Sequence, residues 1–209
     1  MSTTIILAEF HSERMSSASV QKAAVLCGLC AVVIFLILYL VAMSLDSEYV
    51  FGEDYLSDLG VSEGAWAFNA GLIIAGILFI PFSVLGLGPA LGEKMLAVIS
   101  KALLVIAALF LISIGVFTED AGDIHGVVSY GFFLTMLVAL GFCAQALYKS
   151  RYLGRSGYVF TLLVFVFGFG LLPMGGDPLS ETLAVLGIII WGLVVGSLLL
   201  LRISGRSVP

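Results

Sequence analysis

Residues able to do chemistry are scarce in this 209-residue chain, and they gather in a few places. His125 follows Glu119, Asp120 and Asp123 and precedes Ser129 by four residues. On a helix that spacing puts the imidazole and the hydroxyl on one face, a turn apart. Ser57 and Asp58 lie in Tyr55-Leu56-Ser57-Asp58-Leu59-Gly60, and Asn69 comes nine residues after Gly60. Asp177 and Glu181 flank Pro178. A histidine beside carboxylates can act as a general base oriented by an acid. Asp58, Glu119 and His125 can also ligate a divalent metal, and a metal-bound water can hydrolyse an ester or an amide. Acids at a membrane mouth can equally relay protons or admit cations. Ser57, Asn69 and Ser129 add hydrogen-bonding groups, so the candidate ligand set is Ser57, Asp58, Asn69, Glu119, His125 and Ser129, with Asp58, Glu119 and His125 as the catalytic or metal candidates.

Each residue also has a plainer role. Asp58 can cap a turn, His125 can hold a loop carbonyl, and Asn69 can bridge helices. Asp177 before Pro178 reads as the N-cap of the last helix with Glu181 in its first turn, and that pair is assigned to structure. The sequence contains no H-E-x-x-H and no G-x-S-x-G, and the second histidine, His11, stands before the first apolar run. No reaction is named by a motif.

The elements that must position these side chains are apolar helices. The chain is 61% hydrophobic and 11% charged, with a mean hydropathy of +1.18. Soluble domains run near 45–50% apolar and about 25% charged. The composition excludes a nucleic-acid binder, a disulfide-stapled secreted domain and a disordered chain. A bilayer core about 30 Å thick needs about 20 apolar residues per helix. Six such stretches occur, near residues 23–45, 67–89, 96–117, 126–147, 158–174 and 182–201. Their backbone groups must be paired internally, and they lack the alternation of barrel strands, so they are helices. The expected fold is an all-α, six-span membrane bundle. It has tails over residues 1–22 and 202–209 and one transmembrane domain over 23–201, with membrane lipids as the implied partners.

The charges orient it. All nine Lys and Arg residues fall in the N-terminus, the second and fourth loops or the C-terminus, which share one side. Eleven of the fourteen acids fall in the first, third and fifth loops on the other side. Basic excess marks the cytoplasm, so both termini are expected inside a cell membrane and the acidic face outside. The run Thr4–Phe10 is too short for a cleavable signal and has no basic residue before it. Lys101, near the start of the third run, is expected to snorkel to the inner interface.

Further features are expected to serve packing. Pro81 should kink the second span and free a carbonyl that a neighbour must satisfy. Gly71, Gly76, Gly168 and Gly170 should let helices approach closely. Tyr49, Phe51, Tyr55 and Trp66 suit an outer aromatic belt, Tyr148, Tyr152 and Tyr158 an inner one, and Trp191 lies mid-span. Cys27 and Cys30 form a C-x-x-C on the cytoplasmic half of a helix, where small packing residues are expected rather than a redox pair. Val50-Phe51-Gly52-Glu53-Asp54 matches Val116-Phe117-Thr118-Glu119-Asp120 at four of five positions, 66 residues apart. Stacked hairpins of like orientation would bring the acidic loops to one mouth.

With Tyr55-Leu56-Ser57-Asp58-Leu59-Gly60, Asn69, then Gly115-Val116-Phe117-Thr118-Glu119 and His125, the chain resembles the archaeal and bacterial six-helix membrane proteins grouped as domain of unknown function 998. Their hallmark is a Ser-Asp/Glu-Leu-Gly signature after the first helix. That signature is distantly similar to one in DRAM/Frag/Sfk-like membrane proteins, some of which are linked to lipid or GPI-anchor remodelling and to autophagy. The resemblance implies Ser57, Asp58, Asn69, Glu119 and His125 as site residues and brings no reaction with it. The expected function is an extracytoplasmic polar pocket that binds or modifies a lipid headgroup or binds a metal. A cation or proton transporter and a structural subunit are the alternatives. The transporter requires polar residues through the membrane, and the mid-span positions are almost wholly apolar.

Overall fold

In a computed structural model the backbone is described over residues 3–205 and side chains from residue 17 onward. The side chains of Glu9, His11, Glu13 and Arg14, and the whole of Arg206, lie outside the described residues. The helices are α1 (Thr3–Leu45), α2 (Ala65–Pro81), a short α3 (Gly88–Leu91), α4 (Met95–Val116), α5 (Asp123–Ser150), α6 (Gly154–Leu171) and α7 (Pro178–Ile203). No strand occurs among the described residues. Six segments are long and apolar enough to cross a membrane: Ser17–Leu45, Ala65–Gly86, Met95–Val116, Asp123–Ser150, Gly154–Met174 and Pro178–Ile203. The protein is a multi-pass integral membrane protein, and these spans lie within a few residues of the six apolar runs. α1 starts well before its apolar part, so the expected N-terminal tail is helical and continuous with the first span.

The six spans close a ring in chain order. α1 packs on α2, α2 on α4, α4 on α5, α5 on α6, α6 on α7, and α7 returns to α1. Short connections make sequence neighbours antiparallel, so the first, third and fifth loops meet at one end. α6, touching mainly α5 and α7, is the least buried span.

The seams are made by small residues. A Cβ on Gly76 would fall 2.9 Å from the Ala108 carbonyl oxygen, and one on Gly115 would fall 2.7 Å from that of Asn69. α2 and α4 therefore touch backbone to backbone. Gly71 lies against Leu38 and Gly168 against Leu137, as expected, but Gly170 faces open space and carries no helix contact. The second span ends earlier than its hydropathy suggests. After Pro81 the backbone takes a π-helical turn over Phe82–Gly86, where the Leu87 N–H donates to the Phe82 carbonyl at 2.7 Å. The Gln21 side chain donates to the Gly86 carbonyl at 3.1 Å, so a polar group on α1 ties down this irregular turn.

Trp191 is fully buried; its indole N–H donates to Thr161 Oγ1 at 3.1 Å and its ring meets Phe79 and Phe82 edge-on. That pins α7 to α6 and to the π turn. Cys27, Cys30 and Cys143 are all free thiols. The Lys101 stem lies against Gly88. Phe51, Tyr55, Trp66 and Tyr148 are exposed as belt residues should be. Tyr49 is a correction: it packs inward against the core, where burial and the neighbouring Tyr39 hydroxyl raise the pKa of its phenol.

Candidate functional site

Three loops and two helix ends build the acidic end of the ring. In loop one, residues Leu56–Gly60 form a 3-10 turn, and Asp58 Oδ2 accepts the Tyr55 N–H at 2.9 Å. The turn is fixed to α2 by Asn69, whose Nδ2 donates to the Gly60 carbonyl at 2.8 Å. In loop three, Glu119 opens a short 3-10 turn, Glu119–Ala121, and Thr118 donates to Asp120. At the start of α7, Asp177 is the N-cap, with Oδ1 accepting the Ser180 N–H at 2.7 Å.

Glu181, one turn further, does more than the sequence suggests. Its Oε2 accepts the Leu56 N–H at 3.0 Å across 125 residues of chain, bolting the first turn of α7 onto loop one. It lies within electrostatic reach of Asp58 and Glu119. Carboxyl groups from loop one, loop three and the first turn of α7 thus lie within electrostatic reach of one another. Glu119 hydrogen-bonds to Asp58, and its pKa is pushed up to about 7 by burial and then by the adjacent Asp58 carboxyl. At neutral pH Glu119 therefore keeps its proton more readily than an exposed carboxyl does.

His125 sits in the first turn of α5. Its Nδ1 is 2.8 Å from the Phe117 carbonyl oxygen, and its Nε2 is 3.2 Å from Ser129 Oγ. A carbonyl only accepts, so Nδ1 carries a proton; in the neutral imidazole Nε2 is then the acceptor for the Ser129 hydroxyl. The group that orients His125 is thus a backbone carbonyl, the plainer of the two roles the sequence left open, and not Glu119, Asp120 or Asp123.

Two cavities meet at this end. One, of about 120 Å³, lies inside the ring between Phe35, Phe79, Phe82, Phe132, Met136 and Trp191, with Ser57, Ser129 and Glu181 at its outer end. The other, of about 550 Å³, is a groove between α5, α6 and α7. Its mouth is lined by Tyr55, Ser57, Glu119, His125, Ser129 and Glu181, and its length by apolar residues including Leu134, Leu137, Val164, Phe167 and Ile188. Ser57, Ser129, Phe133, Met136, Glu181 and Ile188 border both.

The chain matches the family described as "Protein of unknown function (DUF998)" over residues 29–199. It belongs to this family. No curated protein and no solved structure matches it. The family match runs from within the first span to within the last and takes in every residue of the site.

Of the six residues singled out from the sequence, Ser57, Glu119, His125 and Ser129 line the groove. Asp58 stands behind Glu119, and Asn69 is spent on holding the 3-10 turn. Glu181, assigned to structure beforehand, joins them. The signal was there: it is a lone acid at the lip of an otherwise apolar run, 182–201. Among the described residues, no group of three or more His, Cys, Asp or Glu side chains is placed to hold a metal ion, and His125 has both nitrogens engaged. The four-of-five loop match splits in role, since Glu119 enters the cluster whereas its counterpart Glu53 is exposed.

Proposed function

We propose that this member of the DUF998 family holds a membrane lipid, with the headgroup at the acidic mouth and an acyl chain in the groove between α5, α6 and α7. The observation that carries this reading is the continuity of one groove, polar at Glu119, His125, Ser129 and Glu181 and apolar along α6, in a protein embedded in lipid. Its volume, about 550 Å³, falls within the range of about 300–1,000 Å³ typical of small-molecule sites. All nine basic residues lie in segments leading to the other end of the ring, so the mouth offers acceptors without a cation. It suits a headgroup rich in donors, hydroxyl or ammonium, over a bare phosphate. The one-sided basic charge supports an orientation with both termini in the cytoplasm and the mouth on the outer face of a cell membrane. Conduction finds no support beneath the mouth, where the inner cavity is walled by aromatic and aliphatic side chains.

The test is lipid mass spectrometry on protein purified in mild detergent. Gly126 lines the mouth, and a Cβ there would meet nothing within 4 Å, so Gly126→Leu adds bulk to the groove without disturbing the helix. A lipid with a hydroxyl- or ammonium-bearing headgroup should travel with the wild-type protein. Gly126→Leu should reduce it at least about tenfold with unchanged helicity. The same lipid complement in both proteins would overturn the reading.

A further inference from the structure

We propose that Ser129 is a nucleophile, activated by His125, for acyl transfer from a lipid ester lying in the groove; this rests on the lipid reading above. Three observations carry it. Ser129 Oγ is 3.2 Å from His125 Nε2, close enough for the hydroxyl to pass its proton to the ring. The other ring nitrogen, Nδ1, is 2.8 Å from the Phe117 carbonyl, which fixes the tautomer and the ring plane. A nucleophile, a base and an orienting acceptor in line is the arrangement that activates a serine, whatever fold carries it. Finally, both side chains line the apolar groove at its polar mouth, where the ester junction of a lipid lies when its chain is inside and its headgroup outside.

The helix supplies the geometry directly. A side chain in an α-helix leans toward the N-terminus, so residue 129 reaches back onto the face of residue 125. Loop three then brings the Phe117 carbonyl onto the far side of the ring.

The reaction balances with water as the second reactant. Ser129 Oγ bonds to the ester carbonyl carbon while its proton passes to His125 Nε2. The bond from that carbon to the alcohol oxygen breaks, and the leaving alkoxide takes the proton from Nε2. Acyl-Ser129 and the free alcohol result. Water then attacks the acyl carbon, giving one proton to Nε2, and Ser129 Oγ leaves and recovers it. A carboxylic acid is released and no oxidant or reductant is needed.

The test uses the full chain in lipid nanodiscs and a small fluorophosphonate, which enters without an acyl chain and reacts with activated serines. Peptide mass spectrometry should find the adduct on Ser129. It should vanish in Ser129→Ala and its rate should fall about a hundredfold or more in His125→Gln. Gly126→Leu should lose turnover of a long-chain p-nitrophenyl ester. An unlabelled Ser129 in a folded protein that still co-purifies lipid would overturn the proposal and leave the lipid reading standing. Labelling that is indifferent to His125→Gln would overturn the role of the histidine. Labelled Ser129 without any bound lipid would uphold the activated serine and contradict the lipid reading.

Discussion

Glu119 carries the most information of any single side chain. Its carboxyl, raised to about 7 beside Asp58, is protonated more readily in the folded protein than in the unfolded one. The interaction is fully favourable below the ordinary glutamate value and is lost as pH rises through about 7. The melting temperature in detergent should therefore fall as pH is raised from 5 to 8, and Glu119→Gln, which keeps the hydrogen bond without the charge, should flatten that slope. A slope unchanged by the substitution would contradict the raised value of Glu119. Asp58→Asn should likewise return Glu119 toward its ordinary range, visible as a downfield-shifting carboxyl resonance at lower pH. The sequence showed that Glu119, His125, Ser129 and Ser57 lay near one end, because each adjoins a span boundary. It could not show the role of Glu181, whose partner at Leu56 is 125 residues away. That His125 could hold a loop carbonyl was legible, but that the carbonyl is that of Phe117 was not, because it depends on how the loop folds back.

At the scale of the helices, legibility was high for a physical reason. Backbone groups in lipid have no water to fall back on, so an apolar run of sufficient length has one solution. What hydropathy cannot read is which glycines touch. Gly115→Ala puts a methyl 2.7 Å from the Asn69 carbonyl, and should cost about 1–3 kcal/mol. Gly170→Ala enters open space and should stay within about 0.5 kcal/mol of wild type. Thermal unfolding of the two variants in one detergent checks both, and equal losses would contradict the seam between α2 and α4. Thr161→Val strands the buried Trp191 N–H and should cost about 1 kcal/mol, read as a lower midpoint with the near-ultraviolet tryptophan signal altered. The π turn after Pro81 was not legible as such, and the partner of its Gly86 carbonyl, Gln21, is 65 residues away.

The whole molecule is a ring of six spans with one weakly packed member, α6, beside a groove that joins a polar mouth to an apolar interior. Convergence of the three acidic loops follows from the hairpin order, and the groove follows from α6 packing mainly on its two chain neighbours. The asymmetric charge predicts that a fluorescent protein fused to the C-terminus will glow and that alkaline phosphatase fused there will be inactive; the reverse pattern would turn the molecule over. Occupation of the groove is the central claim, and a photoactivatable diazirine on the acyl chain of a lipid in nanodiscs tests it most directly. Adducts should concentrate on Leu134, Leu137, Val164 and Phe167 and fall away in Gly126→Leu. Adducts spread evenly over the lipid-facing sides of all six spans, unaffected by Gly126→Leu, would contradict it.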